Sequence, residues 1–243
     1  MQAICLVIPC YNEARRLDLA EIAHFLARFE HYNFCFVDDG SDDGTRRLLT
    51  TFAEEWPGRI RVRSNRENAG KAEAVRSGMR TAMDWKDFVH VGYLDADLST
   101  PLGEIHRLAG FLQSDSEVFL VMGSRVLRLG AEIARYPLRH YLGRVFATIS
   151  SLMMPVKAYD TQCGAKIFRA ELVPYVFGEP FVSKWFFDLE ILKRVVAHID
   201  YNGKAILEVP LDRWVEKGDS RMRIGDFLQA PIELVRIYKH YAG

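Results

Sequence analysis

Short apolar runs alternate with stretches of helical spacing through the first half of the chain. Five runs rich in β-branched and aromatic residues are typical of buried strands: Ala3–Ile8, Phe34–Val37, Ile60–Arg63, Phe88–Leu94 and Val118–Met122. Between them, apolar residues recur every three or four positions and predict helices: Leu17–Glu30, Gly44–Trp56, Ala72–Trp85 and Leu102–Gln113. This alternation predicts βαβ units and therefore an α/β fold with a mostly parallel central sheet flanked by helices.

The pattern changes after Gly123. A basic loop follows, and after it a helix is predicted over Leu138–Met154. The polar motif Asp160–Gly164 then precedes a strand-like run. A helix over Phe187–Val196, a strand over Ala205–Val209 and a last helix over about Asp226–Tyr241 complete the pattern. No repeat or linker-like tract interrupts the chain, so we expect one domain over residues 1–243.

Composition narrows the class of protein. Lys+Arg 32 balance Asp+Glu 32, so no overall positive field attracts nucleic acid, and any anion site must be local. No uncharged stretch is longer than Val145–Val156, which is shorter than the roughly 18 residues of a membrane span. The four cysteines form no C-x-x-C pair and no basic leader opens the sequence, which favours reduced thiols and a cytoplasmic location.

Two carboxylates directly follow the fourth apolar run. Asp95 and Asp97 are separated by one residue, so on a strand their side chains point the same way. A parallel sheet presents binding groups at the carboxyl ends of its strands, and paired carboxylates are suitable ligands for a hard cation. The sequence therefore predicts a site for Mg²⁺ or Mn²⁺ at Asp95 and Asp97.

Polar loops follow four of the predicted strands, including the one that precedes Asp95, and should meet at one edge of the sheet. They are Pro9–Glu13, Asp38–Ser41, Asn65–Lys71 and Asp95–Pro101. The segment that begins at Asp39 partly imitates the twelve-residue calcium loop of an EF-hand. Its twelfth position is Thr50, however, rather than the glutamate that closes such a loop. A Rossmann dehydrogenase is disfavoured as well, because no G-x-G-x-x-G turn follows the first strand.

Seven motifs in this order resemble glycosyltransferase family 2 enzymes with the GT-A fold, and among them the polyprenyl-phosphate sugar synthases. The motifs are Ile8–Glu13, Val37–Ser41, Asn68–Lys71, Asp95–Asp97, Gly123–Arg125, Asp160–Gly164 and Phe187–Glu190. The resemblance spans about Ala3 to Ser220. It implies a nucleotide-sugar-binding half over about residues 1–123 and an acceptor-binding half with a C-terminal helix over about 124–243.

The resemblance also implies roles for individual residues. Donor contacts are expected from Pro9, Tyr11, Asn12, Glu13, Asp39, Lys71, Asp95, Ala96 and Asp97. Asp95 and Asp97 would hold the metal, with Asp97 as the direct ligand. Contacts to the acceptor are expected from Ser124, Arg125 and Arg139, and the residues expected to act in catalysis are Asp188, Arg125 and Asp97.

The expected reaction is metal-assisted transfer of a hexose from a nucleotide-sugar to a polyprenyl or dolichyl phosphate, in a single displacement that inverts the anomeric carbon. UDP-glucose is preferred as donor over GDP-mannose, because Asp160–Gly164 resembles the glucose synthases more closely. A phosphate acceptor is already ionised, so Asp188 would orient it rather than deprotonate it. The enzyme would contact the cytoplasmic face of a membrane peripherally, and a separate membrane-embedded partner protein is left open.

Two alternatives remain at this stage. The same fold could transfer sugar to a sugar hydroxyl in polysaccharide or glycan assembly, with Asp188 as general base. A non-catalytic scaffold that binds nucleotide-sugars is the third interpretation.

Overall fold

The computed structural model describes residues 2–134, 156–199, 201, 203–217 and 224–241, with side chains of the last segment described from residue 231. The strands are β1 (Ile4–Cys10), β2 (Tyr32–Asp38), β3 (Ile60–Ser64), β4 (His90–Tyr93), β5 (Leu120–Ser124), β6 (Glu132–Ala134), β7 (Lys166–Arg169), β8 (Ile206–Pro210) and β9 (Arg213–Val215). The α-helices are α1 (Leu19–Arg28), α2 (Thr45–Glu55), α3 (Lys71–Met83), α4 (Leu102–Ser114), α5 (Val173–Phe177), α6 (Phe187–His198) and α7 (Ile224–Tyr241), and a 3₁₀ turn spans Ala170–Leu172.

Seven strands form the central sheet in the order β3-β2-β1-β4-β7-β5-β8. Its neighbouring strands are parallel except for β7, which runs antiparallel to both β4 and β5. The predicted α/β fold with a mostly parallel sheet is therefore confirmed. Because β7 and β8 follow residue 123 in the chain, strands from both predicted halves share this one sheet.

Both faces of the sheet are covered by apolar side chains. Leu6 of β1 belongs to the hydrophobic cluster that includes residues of α1 and α4, whereas its neighbour Val7 belongs to the cluster that includes residues of α3 and α6. Successive residues of a strand point to opposite faces, so the continuous apolar sequence of β1 supplies both clusters. This explains why the predicted strands lack the alternation of a half-exposed sheet.

Helix α3 packs against the sheet through Gly78. A Cβ atom added at Gly78 would stand 2.4 Å from Val7 Cγ1 and 2.7 Å from Val37 Cγ2, well inside van der Waals contact. A larger residue would push the helix away from β1 and β2. This packing fixes the first residue of α3, Lys71, near the edge where the parallel strands end.

The remaining expectations are met in part. The four cysteines are buried free thiols, and burial raises the pKa of Cys35 to about 12, which makes that thiol unreactive near neutral pH.

Strands β6 and β9 pair with each other outside the main sheet and were not predicted, since a strand of three residues carries too little hydrophobic pattern. The predicted helix Leu138–Met154 lies outside the described residues. Among the helices described here, none has the length and apolarity to cross a bilayer.

Candidate functional site

The loop after β1 is tied to the loop after β2 by hydrogen bonds. The backbone N–H of Asn12 donates to Ser41 Oγ at 2.9 Å, and the N–H of Asp42 donates to Asn12 Oδ1 at 3.0 Å. Asn12 adopts a left-handed backbone with φ of 51°, a conformation that asparagine tolerates better than most residues. The structure therefore gives Asn12 a role in joining two loops, and its contact with a donor stays a prediction.

Asp39 ties the loop after β2 to the loop that leads into α3. Its buried carboxylate accepts hydrogen bonds from Asn65 Nδ2 at 2.8 Å, from the Ala69 N–H at 3.1 Å and from the Gly70 N–H at 2.8 Å. A carboxylate has about four acceptor positions, so three of them serve the protein itself. Asp39 shapes this loop whether or not it also contacts a ligand.

An ion pair joins the start of α3 to the loop after β4. Lys71 Nζ lies 2.5 Å from Asp95 Oδ1. Desolvation alone would lower the pKa of Lys71, but the charges of Asp95 and Asp188 outweigh it and raise that pKa. Desolvation likewise would raise the pKa of Asp95, yet the contact with Lys71 lowers it. With this pair, the four loops that the sequence predicts to converge are all connected at one edge of the sheet.

Asp97 is held by its own loop and faces Arg16, a positively charged side chain that the sequence does not single out. The Ser99 N–H donates to Asp97 Oδ1 at 2.9 Å, while Arg16 Nη2 lies 3.7 Å from Asp97 Oδ2. Arg16 Nε also lies 3.5 Å from Glu13 Oε2. Arg16 therefore stands between the predicted donor residue Glu13 and the predicted metal ligand Asp97. Nothing in its sequence context distinguishes it from a surface arginine.

The residues at this edge fit a divalent cation by their chemistry. Asp95 and Asp97 offer carboxylate oxygens, which are the ligands that Mg²⁺ and Mn²⁺ prefer. Both carboxylates are partly exposed and lie against positively charged side chains. Within the described parts of the chain no group of three acidic, histidine or cysteine side chains forms a ready metal site. A bound ion would therefore draw its other ligands from water and from the substrate, as Mg²⁺ commonly does.

The Asp160–Gly164 motif packs directly against Asp95. A Cβ atom added at Gly164 would stand 2.0 Å from Asp95 Oδ2, so only glycine allows this approach. On the other side of the motif, Asp160 binds Arg125 through Nε and Nη2, each at 2.7 Å, and also accepts from the Arg125 N–H at 3.0 Å. The motif therefore bridges the carboxylates of the donor half and the arginine expected to meet the acceptor.

Arg125 is held in place by this two-pronged ion pair. Its guanidinium also lies over the ring of Trp214, with 5.3 Å between Cζ and the ring centroid. Desolvation would lower the pKa of Arg125, but Asp160 outweighs that effect and raises it, so the guanidinium stays charged. Asp160 therefore neutralises much of the charge of Arg125, and the contact of Arg125 with an acceptor phosphate stays a prediction.

Asp188, in the first turn of α6, lies in a buried cluster with Lys166 and Tyr93. Lys166 Nζ lies 2.5 Å from Asp188 Oδ1, and the Tyr93 hydroxyl donates to the same oxygen. The ammonium also donates to the carbonyls of Thr161 at 2.9 Å and Cys163 at 2.7 Å. Lys166 was missed, although a lysine inside the strand-like run Ala165–Arg169 is itself an unusual signal.

The other predicted site residues occupy less specific positions. Pro9 lies within β1, Tyr11 directly after it is half-buried, and Ala96 is buried between the two aspartates. Ser124 ends β5 and is buried beside Arg125. Arg139 lies outside the described residues.

Gly164→Ala tests the contact between the motif and Asp95. The added methyl must displace either the Asp95 carboxylate or the backbone of the motif, because no space exists between them. We expect the sugar transfer that the sequence resemblance implies to fall roughly 10- to 100-fold, since a displacement of about 1 Å can cost that much. The measurement is steady-state transfer, with Gly110→Ala as control because open space surrounds that glycine. Equal activity of the two variants would contradict the tight contact.

Comparison with known proteins agrees with this geometry. The crystal structure of glucosyl-3-phosphoglycerate synthase from Mycobacterium tuberculosis, in complex with Mn²⁺, uridine diphosphate and phosphoglyceric acid, superimposes with a TM-score of 0.71 at 18% identity, over 98% of this chain and 78% of that one. This similarity shows the GT-A fold. The family described as Glycosyl transferase family 2 matches residues 5–177. The chain belongs to that family and is a glycosyltransferase.

Two curated relatives extend the match over nearly the whole chain. The dolichyl-phosphate beta-glucosyltransferase of Trichomonas vaginalis is 34% identical over 243 residues, which cover 95% of this chain and 69% of that protein. The human dolichyl-phosphate beta-glucosyltransferase is 27% identical over 238 residues, covering 88% and 72% respectively. The predicted resemblance to polyprenyl-phosphate sugar synthases is thereby confirmed as a similarity.

Proposed function

We propose that this protein transfers glucose from UDP-glucose to a polyprenyl or dolichyl phosphate, with inversion at the anomeric carbon and with Mg²⁺ or Mn²⁺ assisting. The observation that carries the proposal is the bridge made by Asp160–Gly164, with Asp95 at one end and the paired Arg125 at the other. In this proposal the nucleotide diphosphate lies at the Asp95 end of the bridge and the acceptor phosphate at the Arg125 end, with the hexose between them.

The names of the relatives support the choice of substrates. Two proteins similar over most of this chain are called dolichyl-phosphate beta-glucosyltransferases. A solved structure with the same fold holds Mn²⁺ together with uridine diphosphate, which is consistent with a divalent cation and a uridine donor. GDP-mannose is the second donor candidate, and Mg²⁺ is as suitable as Mn²⁺ for the carboxylate oxygens.

Several side chains would bind and neutralise the donor. Lys71 opens α3, where backbone N–H groups and the helix dipole also favour a phosphate. Its ammonium can move from Asp95 to a diphosphate oxygen when the donor binds. Asp95 and Asp97 would hold the cation, which supplies charge neutralisation for the leaving diphosphate. Tyr11, Glu13 and Asp39 lie at the same edge, where the base and ribose would be recognised.

Asp188 is better suited to orient an acceptor than to accept its proton. Its Oδ1 already receives hydrogen bonds from Lys166 and from Tyr93, and both partners are buried with it. A lipid phosphate needs no general base, because it is already ionised near neutral pH. This arrangement favours a phosphate acceptor over the sugar hydroxyl of the alternative reaction, in which Asp188 would have to deprotonate the nucleophile.

We infer that helix α7 contributes to peripheral contact with a membrane, and the assignment to the cytoplasmic face of that membrane stays a prediction. Leu234 and Ile237 are buried against the domain, whereas Ile232, Val235 and Tyr238 are more than half exposed on the same helix. Arg236 and Lys239 accompany the exposed apolar residues, a combination typical of helices that rest on anionic lipid surfaces. A requirement for a separate membrane-embedded partner protein stays a prediction.

The test is a transfer assay with purified protein and Mn²⁺ or Mg²⁺. UDP-glucose and GDP-mannose labelled in the sugar are offered with a short polyprenyl phosphate, with the matching polyprenol and with free sugars. We expect label to enter the organic phase from UDP-glucose only with the phosphate acceptor, and NMR to report a β-linked product. Transfer to sugar hydroxyls alone would support the second reaction, while tight donor binding without transfer or hydrolysis would support the scaffold.

A further inference from the structure

Three buried polar atoms without a hydrogen-bond partner among the described residues belong to one part of the molecule. They are Ser124 Oγ, Thr161 Oγ1 and Gln162 Nε2. Ser124 and Thr161 are almost completely buried, with 1% and 3% of their surface exposed. A buried polar group without a partner destabilises the folded protein, so three of them in adjoining segments require an explanation.

Their position relates them to both predicted binding sites. Thr161 and Gln162 lie inside the Asp160–Gly164 motif, whose first residue pairs with Arg125 and whose last residue contacts Asp95. Ser124 directly precedes Arg125 at the end of β5. The three side chains therefore belong to the segments that connect the candidate metal carboxylates with the candidate acceptor arginine.

A single displacement determines what must occupy the space between these two sites. The leaving diphosphate departs from one side of the anomeric carbon, and the acceptor oxygen attacks from the other side. The sugar ring therefore lies between the two anions, and its polar groups there are hydroxyls. A hydroxyl both donates and accepts, so it can satisfy an amide N–H as well as the oxygens of serine and threonine.

We propose that Thr161 and Gln162, together with Ser124, bind hydroxyl groups of the donor hexose and determine which hexose is accepted. This inference rests on the proposed function and specifies its sugar subsite. The motif is rigid, because the Lys166 ammonium holds the carbonyls of Thr161 and Cys163 and because Gly164 is packed against Asp95. Polar groups held in a rigid buried segment reject a sugar that leaves them without a partner.

Two substitutions that keep side-chain size remove the hydrogen-bonding groups. Gln162→Met and Thr161→Val are compared with Gln113→Met in α4 and Thr51→Val in α2, where the original side chains are exposed. Binding of UDP and of UDP-glucose is measured by calorimetry in the presence of Mn²⁺, and kcat/KM is measured for UDP-glucose, UDP-galactose and GDP-mannose.

We expect the site variants to bind UDP like the wild type but UDP-glucose at least about tenfold more weakly, with reduced discrimination among the three donors. The control variants should change neither quantity. Equal losses for UDP and UDP-glucose, or no loss for either, would overturn the sugar subsite. If UDP-glucose binding falls selectively in a protein that transfers nothing to polyprenyl phosphate, the subsite stands and the acceptor assignment fails. If the wild type binds no nucleotide-sugar, both proposals fail.

Discussion

Replacing Asp97 by asparagine is expected to reduce sugar transfer by roughly 10²- to 10³-fold while leaving the fold intact. The amide oxygen can still accept the hydrogen bond that the Ser99 N–H donates to Oδ1 at 2.9 Å, so the loop after β4 keeps its shape. What is lost is the negative charge that would attract a divalent cation to the leaving diphosphate, and charge stabilisation of this kind accounts for such factors. The measurement is the transfer rate at saturating Mn²⁺, together with Mn²⁺ binding in the presence of UDP.

Asp87→Asn is the matched control, because Asp87 is exposed and lies before β4 rather than after it. That variant should transfer sugar at the rate of the wild type. Near-normal activity of Asp97→Asn, or a drop in its thermal midpoint large enough to explain the lost activity, would contradict the assignment of Asp97. Asp95→Asn is expected to combine a similar loss with some destabilisation, because it also breaks the ion pair with Lys71.

Replacing Lys166 by methionine is expected to destabilise the protein by about 3–5 kcal/mol, the cost of leaving a buried carboxylate without its counter-charge. The ammonium is fully buried and all three of its N–H donors are used, by Asp188 and by the carbonyls of Thr161 and Cys163. Methionine fills the space but satisfies none of these oxygens. Urea unfolding at neutral pH measures the change in the free energy of unfolding.

Lys204→Met provides the comparison for this prediction. Lys204 lies 3.7 Å from Glu117, and both side chains are mostly exposed, so its removal should cost about 0–1 kcal/mol. Adding Asp188→Asn to Lys166→Met removes the unpaired charge and should recover part of the stability. An equal effect of Lys166→Met and Lys204→Met would show that the buried cluster contributes no more than a surface ion pair.

Much of the fold is predictable from periodicity alone. Strand β2 is fully buried and β1 is buried except at Pro9, and a continuous apolar run bounded by polar loops is sufficient to predict them. The position of β7 is not predictable in this way, because its four residues do not indicate the direction in which the strand runs or the neighbours with which it pairs. The pairing depends on contacts between distant segments, which periodicity does not encode.

The candidate site shows the same division. The carboxylates of Asp95 and Asp97 could be predicted because acidic residues after a buried strand are unusual, and the structure connects their loop to the other three. The charged side chains that pair with the candidate-site residues could not be predicted. Arg16 and Asp160 are polar residues of loop-like segments, and only the folded chain brings them to Asp97 and Arg125. Lys71 was predicted as a phosphate ligand, whereas its contact with Asp95 emerged from the structure.

The insertion of β7 between β4 and β5 has a consequence for engineering this enzyme. Because the strand begins only two residues after Gly164, its pairing with β4 fixes how closely the preceding motif approaches Asp95. Exchange of that motif alone for the sequence of a homologue would also shift the carboxylate that it touches. A successful graft must therefore carry the motif, β7 and the facing residues of β4 as one unit.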